Sequence, residues 1–255
     1  MDDFAMNGFE KHGIEHLSAS SINLWSNAPD VWVMSYLFKQ RTPIGPAAWR
    51  GICSEDAVVA ALTGSQSVEE ATQSALDKFD KRFIIGDEKT TKERDVIAPM
   101  VANAVEALKE YGKPEFPEDG SQHKISITAK GDGWEIPVIG YLDLVFPESG
   151  MVIDLKTTNR ITQVMSAEHQ LQRAIYQKAM GNYGVKFLYV SKAKSLMLED
   201  GDVNEILANA KHKIARLEKF LSVCDAETAR DIVPVNPNTF YWSGSETLRE
   251  QMYGF

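Results

Sequence analysis

The stretch Gly140-Tyr-Leu-Asp-Leu-Val-Phe-Pro-Glu-Ser-Gly-Met-Val-Ile-Asp-Leu-Lys-Thr-Thr158 decides the fold of this chain. Two apolar, alternating runs flank residues 147–150, whose composition is typical of a turn. If these four residues form the loop, antiparallel pairing places Asp143 opposite Asp154. A slip by one residue would mix the apolar and polar faces, so the apolar pattern itself supports this register.

The same register sorts the other side chains of the hairpin onto two faces, because side chains alternate along a strand. The expected apolar pairs are Phe146–Met151, Leu144–Ile153 and Leu142–Leu155. The opposite face would carry Asp143, Asp154 and Lys156.

Two directly opposed carboxylates are difficult to keep in a sheet. At about 5 Å they repel by on the order of 3 kcal/mol at an effective dielectric near 20. Either one carboxylate holds a proton, or Lys156 bridges the pair as a structural ion pair, or a divalent cation lies between them. Carboxylate oxygens are natural ligands of Mg²⁺, and a neighbouring ammonium could polarise a water for phosphodiester hydrolysis. The similar Asp87-Glu-Lys89 lies in a polar stretch without strand pairing and is excluded.

The rest of the chain indicates an α/β protein with an N-terminal helical lobe. Helical patterns are expected over residues 51–62, 67–82, 99–111, 166–180 and 202–222, and strands over 124–128, 134–139, 141–146, 151–156, 185–190 and 195–198. We expect a flexible arm over 1–17 and a single domain over 18–255. Within it, 18–116 form the helical lobe, 117–200 the catalytic sheet and its helix, and 201–255 a C-terminal helix and irregular tail.

Composition restricts the class of protein. The formal net charge of −9 argues against coating nucleic acid through bulk charge, although local phosphate contacts stay compatible with it. No apolar run is long enough for a membrane helix, and the acidic N-terminus lacks a signal-peptide pattern, so we expect a cytoplasmic protein. Cys53 and Cys224 follow no metal-ligand spacing and are expected to be small buried residues.

Several segments, taken in order, resemble the PD-(D/E)XK nuclease superfamily, in particular its RecB-like and phage-exonuclease branch. Gly140–Asp143 and Val152–Thr158 resemble its central motif. Leu17–Trp25, with Pro29 and Trp32 following, resembles its N-terminal helix, Arg50–Glu55 its Gly-x-x-x-His/Glu element, and Gln172–Tyr176 its Gln-x-x-x-Tyr helix. The resemblance covers residues 17–176 and implies a restriction-endonuclease-like core, with a central mixed sheet flanked by helices.

The resemblance also implies roles for individual residues. The implied metal ligands are Glu55, Asp143, Asp154 and the backbone carbonyl of Leu155. Lys156 would position the attacking water and stabilise charge on the phosphate. Gln172 and Tyr176, four residues apart on one helical face, would order the site or contact the substrate strand. The plainer alternatives are that Glu55 is an ordinary exposed helix residue and Tyr176 a core aromatic.

Activity, cofactor and partners follow from the resemblance in the same way. It implies a DNA nuclease, an exonuclease rather than an endonuclease, that uses one or two Mg²⁺ or Mn²⁺ ions on single strands or duplex ends. The relatives favour phage recombination or genome degradation, in a bacterial or phage-infected cell, and leave open a homo-oligomer or a recombination partner protein. Iron–sulfur relatives carry a cysteine where this chain has Ala28, so we expect no cluster, with Phe240, Tyr241 and Trp242 packing to close that lobe.

Candidate substrate contacts are weaker. Ser20, Arg50 and Arg173 are the side chains expected to contact the substrate. His169, one turn before Gln172, could face the site, but we expect it to be a satisfied surface histidine. Two rival functions stay open: a nuclease-fold module that binds DNA without turnover, and a metal-dependent hydrolase of small phosphoesters.

Overall fold

The structure is a computed structural model, and it describes residues 7–83, 86–118, 122–127 and 134–254. The helices are α1 (Gly8–Lys11), α2 (Ala19–Asn27), α3 (Pro29–Tyr36), α4 (Pro46–Thr63), α5 (Val68–Asp80), α6 (Glu88–Asp95), α7 (Ile97–Leu108), α8 (Ala167–Met180), α9 (Val203–Val223), α10 (Ala226–Ile232) and α11 (Glu246–Tyr253). The strands are β1 (Leu17–Ser18), β2 (His123–Ile127), β3 (Val138–Leu142), β4 (Leu144–Phe146), β5 (Met151–Thr157), β6 (Gly184–Val190) and β7 (Ser195–Leu198). Short 3₁₀ turns cover Lys109–Tyr111 and Phe240–Trp242.

The central sheet has the strand order β4-β5-β6-β7 and is mixed. β5 pairs in parallel with β6, whereas β4 with β5 and β6 with β7 are antiparallel. The parallel pair requires a crossover, which α8 supplies between β5 and β6. A second sheet, β1-β3-β2, contains the parallel pair of β1 and β3. The expected α/β class with a mixed sheet and flanking helices is confirmed.

The hairpin that joins β4 and β5 has the expected register over part of its length. Leu144 pairs with Ile153 and Phe146 with Met151, and Gly150 takes the left-handed backbone conformation that the turn requires (φ 61°). The ladder ends at Leu144, because a bend at Asp143 separates β4 from β3. The expected pairing of Asp143 opposite Asp154 and the expected Leu142–Leu155 pair are therefore both wrong, since β3 belongs to the other sheet.

The chain divides into two compact units that do not follow the order of the sequence. Unit 1 comprises Met1–Pro43, Ser126–Gly140 and Asp202–Phe255, and unit 2 comprises Ile44–Ile125 and Tyr141–Gly201. Both units draw on segments far apart in the chain. The expected successive segments 18–116, 117–200 and 201–255 therefore do not coincide with the compact units.

Unit 2 has its core between the helices α4, α5 and α7 and the central sheet. α4 begins with a proline in its first turn and ends at Gly64, which adopts a left-handed conformation. α5 begins with a capping box, in which Ser67 and Glu70 satisfy each other's backbone N–H groups. Fully buried residues such as Phe79, Phe146 and Val190 fill this core. These helices thereby fix α4, which carries Glu55, against the sheet.

Unit 1 is closed by contacts between its first and last segments. Gly8 allows α1 to approach α9 closely, because a Cβ there would lie 2.5 Å from the carbonyl oxygen of Glu218. The buried carboxylate of Asp30 accepts hydrogen bonds from the indole N–H of Trp242 (2.9 Å) and the backbone N–H of Asn236 (3.1 Å). The early helices α1 and α3 are therefore held by residues near the C-terminus.

Two expectations for these segments are wrong. The predicted flexible arm contains α1 and the start of β1, because Phe9 is buried and Asn7 caps the helix; residues 1–6 lie outside the described residues. The predicted irregular tail forms α10 and α11. Trp242 is buried and Tyr241 packs against the same cluster, as expected, but Phe240 is 77% exposed and does not help to close the lobe. Among the described residues, no helix is long and apolar enough to span a membrane.

Candidate active site

Asp143 reaches the central sheet through its side chain rather than through strand pairing. It lies at the bend between β3 and β4, and its Oδ2 accepts a hydrogen bond of 3.0 Å from the backbone N–H of Leu155. The hydrogen-bonded ladder between β4 and β5 stops at Leu144. The carboxylate of Asp143 therefore takes the position that a strand carbonyl would otherwise occupy. Asp143 is thereby fixed beside the strand that carries Asp154.

Asp154 and Lys156 form a buried ion pair on β5. The Asp154 side chain is fully buried, and its Oδ2 lies 2.5 Å from Nζ of Lys156, a side chain that is one-quarter exposed. The ammonium group also lies over the ring of Phe187, 5.3 Å from its centre. Residues two apart on a strand share a face, so β5 itself holds the carboxylate and the ammonium together.

Glu55 joins this group from α4. Its Oε1 accepts a hydrogen bond of 2.7 Å from the side-chain amide of Gln122, and the same nitrogen donates to Oδ1 of Asp143 at 3.1 Å. One amide nitrogen therefore connects the helix carboxylate with the sheet carboxylate. Glu55 is half-buried within the site, so the alternative of an ordinary exposed helix residue does not describe it.

The carboxylates of the site hold protons more strongly than ordinary carboxylates. Burial raises the pKa of Glu55 to about 7, and the charges of Asp154 and Asp56 add to this. Burial also raises the pKa of Asp143, with further increases from the charges of Asp154 and Glu55. The pKa of Asp154 is raised by burial as well, against the attraction of Lys156. Negative charge is thus confined where little water can stabilise it.

Lys156 is the exception among these groups. Burial acts to lower the pKa of Lys156, but the charges of Asp154 and Asp143 outweigh it, and the pKa is raised above its ordinary value. The lysine therefore keeps its proton at neutral pH. It is the positive charge that Asp154 contacts directly.

The donor set has the chemistry of a site for a hard divalent cation. The available donors are carboxylate oxygens of Glu55, Asp143 and Asp154, and burial is the main reason that the pKa values of all three are raised. As the side chains stand, no three His, Cys, Asp or Glu side chains in the described part of the chain converge on one point. The Gln122 amide instead bridges two of the carboxylates, in a position where it would compete with a cation.

Helix α8 supports Asp154 from the other side. The amide of Gln172 donates to Oδ1 of Asp154 at 2.9 Å and lies 2.7 Å from the hydroxyl oxygen of Tyr176. The Tyr176 hydroxyl donates to the backbone carbonyl of Tyr141 at 2.6 Å. Tyr176 is buried, so it is a core aromatic and a member of the polar network at the same time.

His169, on the same helix, is not a surface histidine. Its Nδ1 lies 2.6 Å from the hydroxyl of Tyr189, and Tyr189 is the direct neighbour of Lys156 across the β5–β6 pair. Burial, together with the charge of Lys156, lowers the pKa of His169 to about 4. A neutral imidazole therefore lies beside the strand face that carries the lysine.

The residues expected to contact substrate are engaged within the protein. Arg50 is 4% exposed; it is ion-paired with Glu93 and donates to the carbonyl of Thr157 at 3.1 Å. Arg173 is buried and donates to the carbonyls of Asp200 and Gly201. Contact with a phosphate would require either guanidinium to leave these partners. Ser20 belongs to unit 1, where its hydroxyl is hydrogen-bonded to that of Ser18.

The structure brings together Glu55, Asp143, Asp154, Lys156, Gln172 and Tyr176, all within unit 2. Sequence reasoning missed Gln122, since a lone glutamine ahead of a strand gives no signal. It also missed the pairing of Arg50 with Glu93. The position of His169, one turn before Gln172 on α8, did indicate that both side chains lie on the helix face that meets the site.

Three comparisons with known proteins gave the following results. A sequence model described as the PD-(D/E)XK nuclease superfamily matches residues 16–240. Among solved structures, the chain is similar to one titled "Crystal structure of SSO0001", with 16% sequence identity, a TM-score of 0.32, and coverage of 64% of this chain and 74% of that chain. No curated protein sequence matches the chain significantly.

Proposed function

The chain belongs to the PD-(D/E)XK nuclease superfamily, and we propose that it is a divalent-metal-dependent deoxyribonuclease, an exonuclease rather than an endonuclease. The observation that carries this proposal is the buried Asp154–Lys156 pair, with Asp143 and Glu55 joined to the same site by hydrogen bonds. The substrate would be DNA, as a single strand or at a duplex end.

In this proposal the metal ligands are Glu55, Asp143, Asp154 and the backbone carbonyl of Leu155. One or two Mg²⁺ or Mn²⁺ ions, when bound, supply Lewis acidity to the phosphate and make water a better nucleophile at neutral pH. The role of the carboxylates is to provide oxygen donors on two rigid elements, a helix and a sheet. The hydrogen bond from the Leu155 N–H fixes one of them before substrate arrives.

Lys156 is the catalytic cation in this proposal. Because its raised pKa keeps it protonated, it can donate hydrogen bonds to the attacking water and to the phosphate oxygens on which charge increases. Its contact with Asp154 restricts the ammonium to the face of β5 that holds the acidic residues. A lysine held in this way needs no reorganisation during the reaction.

Gln172 and Tyr176 are positioning residues in this proposal. Gln172 holds one oxygen of Asp154, which leaves the other oxygen facing Lys156. Tyr176 fixes Gln172 and ties α8 to the backbone just before Asp143, through the carbonyl of Tyr141. The two residues thus align the acidic groups from β3–β4 and β5.

The test is digestion of end-labelled linear and closed circular DNA, each single- and double-stranded, with Mg²⁺, Mn²⁺ or EDTA. We expect metal-dependent release of short products from linear DNA, and no cleavage of circles. Nicking of circles would replace exonuclease with endonuclease. Metal-dependent DNA binding without products would indicate a binding module. Turnover of a model phosphodiester, regardless of polymer length, would indicate a hydrolase of small phosphoesters.

A further inference from the structure

A cleft of about 510 Å³ in unit 2 opens from the carboxylate site and follows α4 toward its C-terminal end. Glu55, Asp143 and Gln122 line one end, and Val59, Phe116 and Thr63 line the remainder. We propose that this cleft receives the unpaired base of a nucleotide adjacent to the cleaved phosphodiester. The inference rests on the proposed nuclease function, and it assigns to that function a base-binding site.

The walls of the cleft suit the face of a nucleobase. Val59 and Ala60 lie on successive positions of α4, and Phe116 faces the cleft while packing against the core of unit 2. Ligand sites generally combine apolar walls with a few polar groups that fix orientation. Every base has an apolar π-face, so an aromatic ring and aliphatic side chains bind it without regard to sequence.

Charge decides which part of the nucleotide enters. Among the described residues that line the cleft there is no lysine or arginine, whereas Glu55 and Asp56 both contribute carboxylates. A phosphate inside would meet repulsion from these groups, partly relieved at Asp56 by its ion pair with Lys78. The phosphate therefore stays outside the cleft, beside the end that Glu55 and Asp143 line and where the proposed cation would bind. The uncharged base is the part that the cleft accepts.

The cleft is large enough for one nucleotide. Its volume falls within the range of about 300–1,000 Å³ that is usual for small-ligand pockets. That space is sufficient for one base with its sugar. A base whose face lies against Val59 and Phe116 has left the base stack, so the nucleotide must be single-stranded, or unpaired from a duplex end, before cleavage. Terminal nucleotides unpair most easily, which agrees with an exonuclease.

The experiment uses oligonucleotides in which one nucleotide beside the cleaved bond lacks its base, on the 5′ side in one substrate and on the 3′ side in the other. For the wild-type protein we expect kcat/KM to fall on the order of tenfold for one of the two abasic substrates, because base stacking is lost. Phe116→Ala should lower kcat/KM for the normal substrate by a similar factor. The variant should then cleave the normal substrate and the affected abasic substrate with equal kcat/KM.

Two further variants keep the test interpretable. Val59→Phe places a larger side chain in the cleft and should give the same pattern as Phe116→Ala without removing a core aromatic. Phe83→Ala is the matched control, since Phe83 packs against the same core but does not line the cleft; it should still distinguish the substrates as the wild type does.

Equal kcat/KM for normal and abasic substrates in the wild type would overturn the base-binding site while leaving the nuclease intact. So would an equal loss on all substrates in Phe116→Ala and Val59→Phe, since that is a purely structural effect. A wild type that cleaves nothing refutes the nuclease function instead. In that case the base-binding site is tested by binding alone, from the fluorescence anisotropy of labelled oligonucleotides mixed with Lys156→Ala protein and Mg²⁺. Weaker binding of one abasic strand than of the normal strand would support the site, and equal binding would overturn it.

Discussion

Glu55 and Asp143 share a single hydrogen-bond donor, the side-chain nitrogen of Gln122, although one carboxylate lies on a helix and the other at a bend in the sheet. The two carboxylate oxygens are thereby held on either side of one N–H donor group. A cation that bound both oxygens would remove the need for this amide. We therefore expect these hydrogen bonds of Gln122 to break when the proposed cation binds.

Gln122→Ala is expected to destabilise the metal-free protein and to leave the metal-saturated protein almost unchanged. Loss of the shared amide should lower the free energy of unfolding in EDTA by about 1 kcal/mol. The increase in stability on adding Mn²⁺ should then be larger than in the wild type, and the apparent Kd for the metal lower. Thermal unfolding with EDTA and with Mn²⁺, and calorimetric titration, measure both quantities.

Gln177→Ala is the control for this comparison. The amide of Gln177 donates to the carbonyls of Gly181 and Tyr183, away from the carboxylates. Its loss should lower stability equally with and without metal. If Gln122→Ala behaves in the same way, or if it weakens metal binding, Gln122 does not compete with the cation.

The stability of the protein should depend differently on pH with and without metal. Burial, with the charges of Asp154 and Asp56, raises the pKa of Glu55 from 4.5 to about 7. The folded state then holds a proton that the unfolded state releases, so this contribution is present below pH 4.5 and is lost as pH rises through about 7. In EDTA the Tm should fall across this range. With Mn²⁺ the gain in Tm should increase with pH, because the ligands must be deprotonated.

Glu55→Gln provides the comparison, since it removes the titrating group and keeps the shape. Its Tm in EDTA should depend less on pH than that of the wild type, and its gain from Mn²⁺ should be smaller at every pH. Identical pH profiles for the two proteins would contradict the assignment of this proton to Glu55.

Asp154→Asn and Lys156→Ala should each lower the rate of DNA cleavage on the order of a hundredfold or more. In Asp154→Asn the remaining amide oxygen can still accept the hydrogen bond from Gln172, so the fold should be retained. Cleavage of end-labelled DNA measures the rate, and circular dichroism with thermal unfolding checks the fold. Full activity in both variants would discard the proposed site.

Arg50 is expected to stabilise the fold rather than bind DNA. Arg50→Ala leaves the buried Glu93 without its partner and should lower the free energy of unfolding by about 3 kcal/mol. Urea unfolding measures this loss. The dependence of DNA binding on salt should keep its slope, because no phosphate contact is removed. A lower slope with unchanged stability would instead place Arg50 at the DNA backbone.

The sequence predicted those helices and strands that bury one face in the core. Alternation of apolar residues gave the β4–β5 register, and helical periodicity gave α4, α5, α8 and α9, because burial of one face constrains each of these elements. The bend at Asp143 escaped prediction, since the strand before it joins a different sheet. The predicted register, extended through that bend, placed Asp143 in the strand ladder. In the structure Asp143 instead contacts β5 through its side chain, which accepts a hydrogen bond from the Leu155 N–H.

The helix α6 was not predicted from the sequence. Its sequence is almost wholly polar, and no apolar periodicity predicts it. Asp87 caps the helix, and Glu93 is buried against Arg50, so the helix is stabilised by partners distant in sequence. Gln122 and Arg50 have the same character, since their partners are found only when the chain is folded. Polar networks of this kind have no period that a sequence can show.

The interleaving of the two units has a consequence for synthesis on the ribosome. Every segment of unit 2 has been translated once the chain reaches residue 201, whereas α1 and α3 still lack α9 and Trp242 at that stage. The acidic centre therefore belongs to the part of the nascent polypeptide that can fold first. Residues 7–43 are synthesised before unit 2 but find their partners only after residue 201, so a translation arrest at that stage would leave their apolar side chains available to chaperones and proteases.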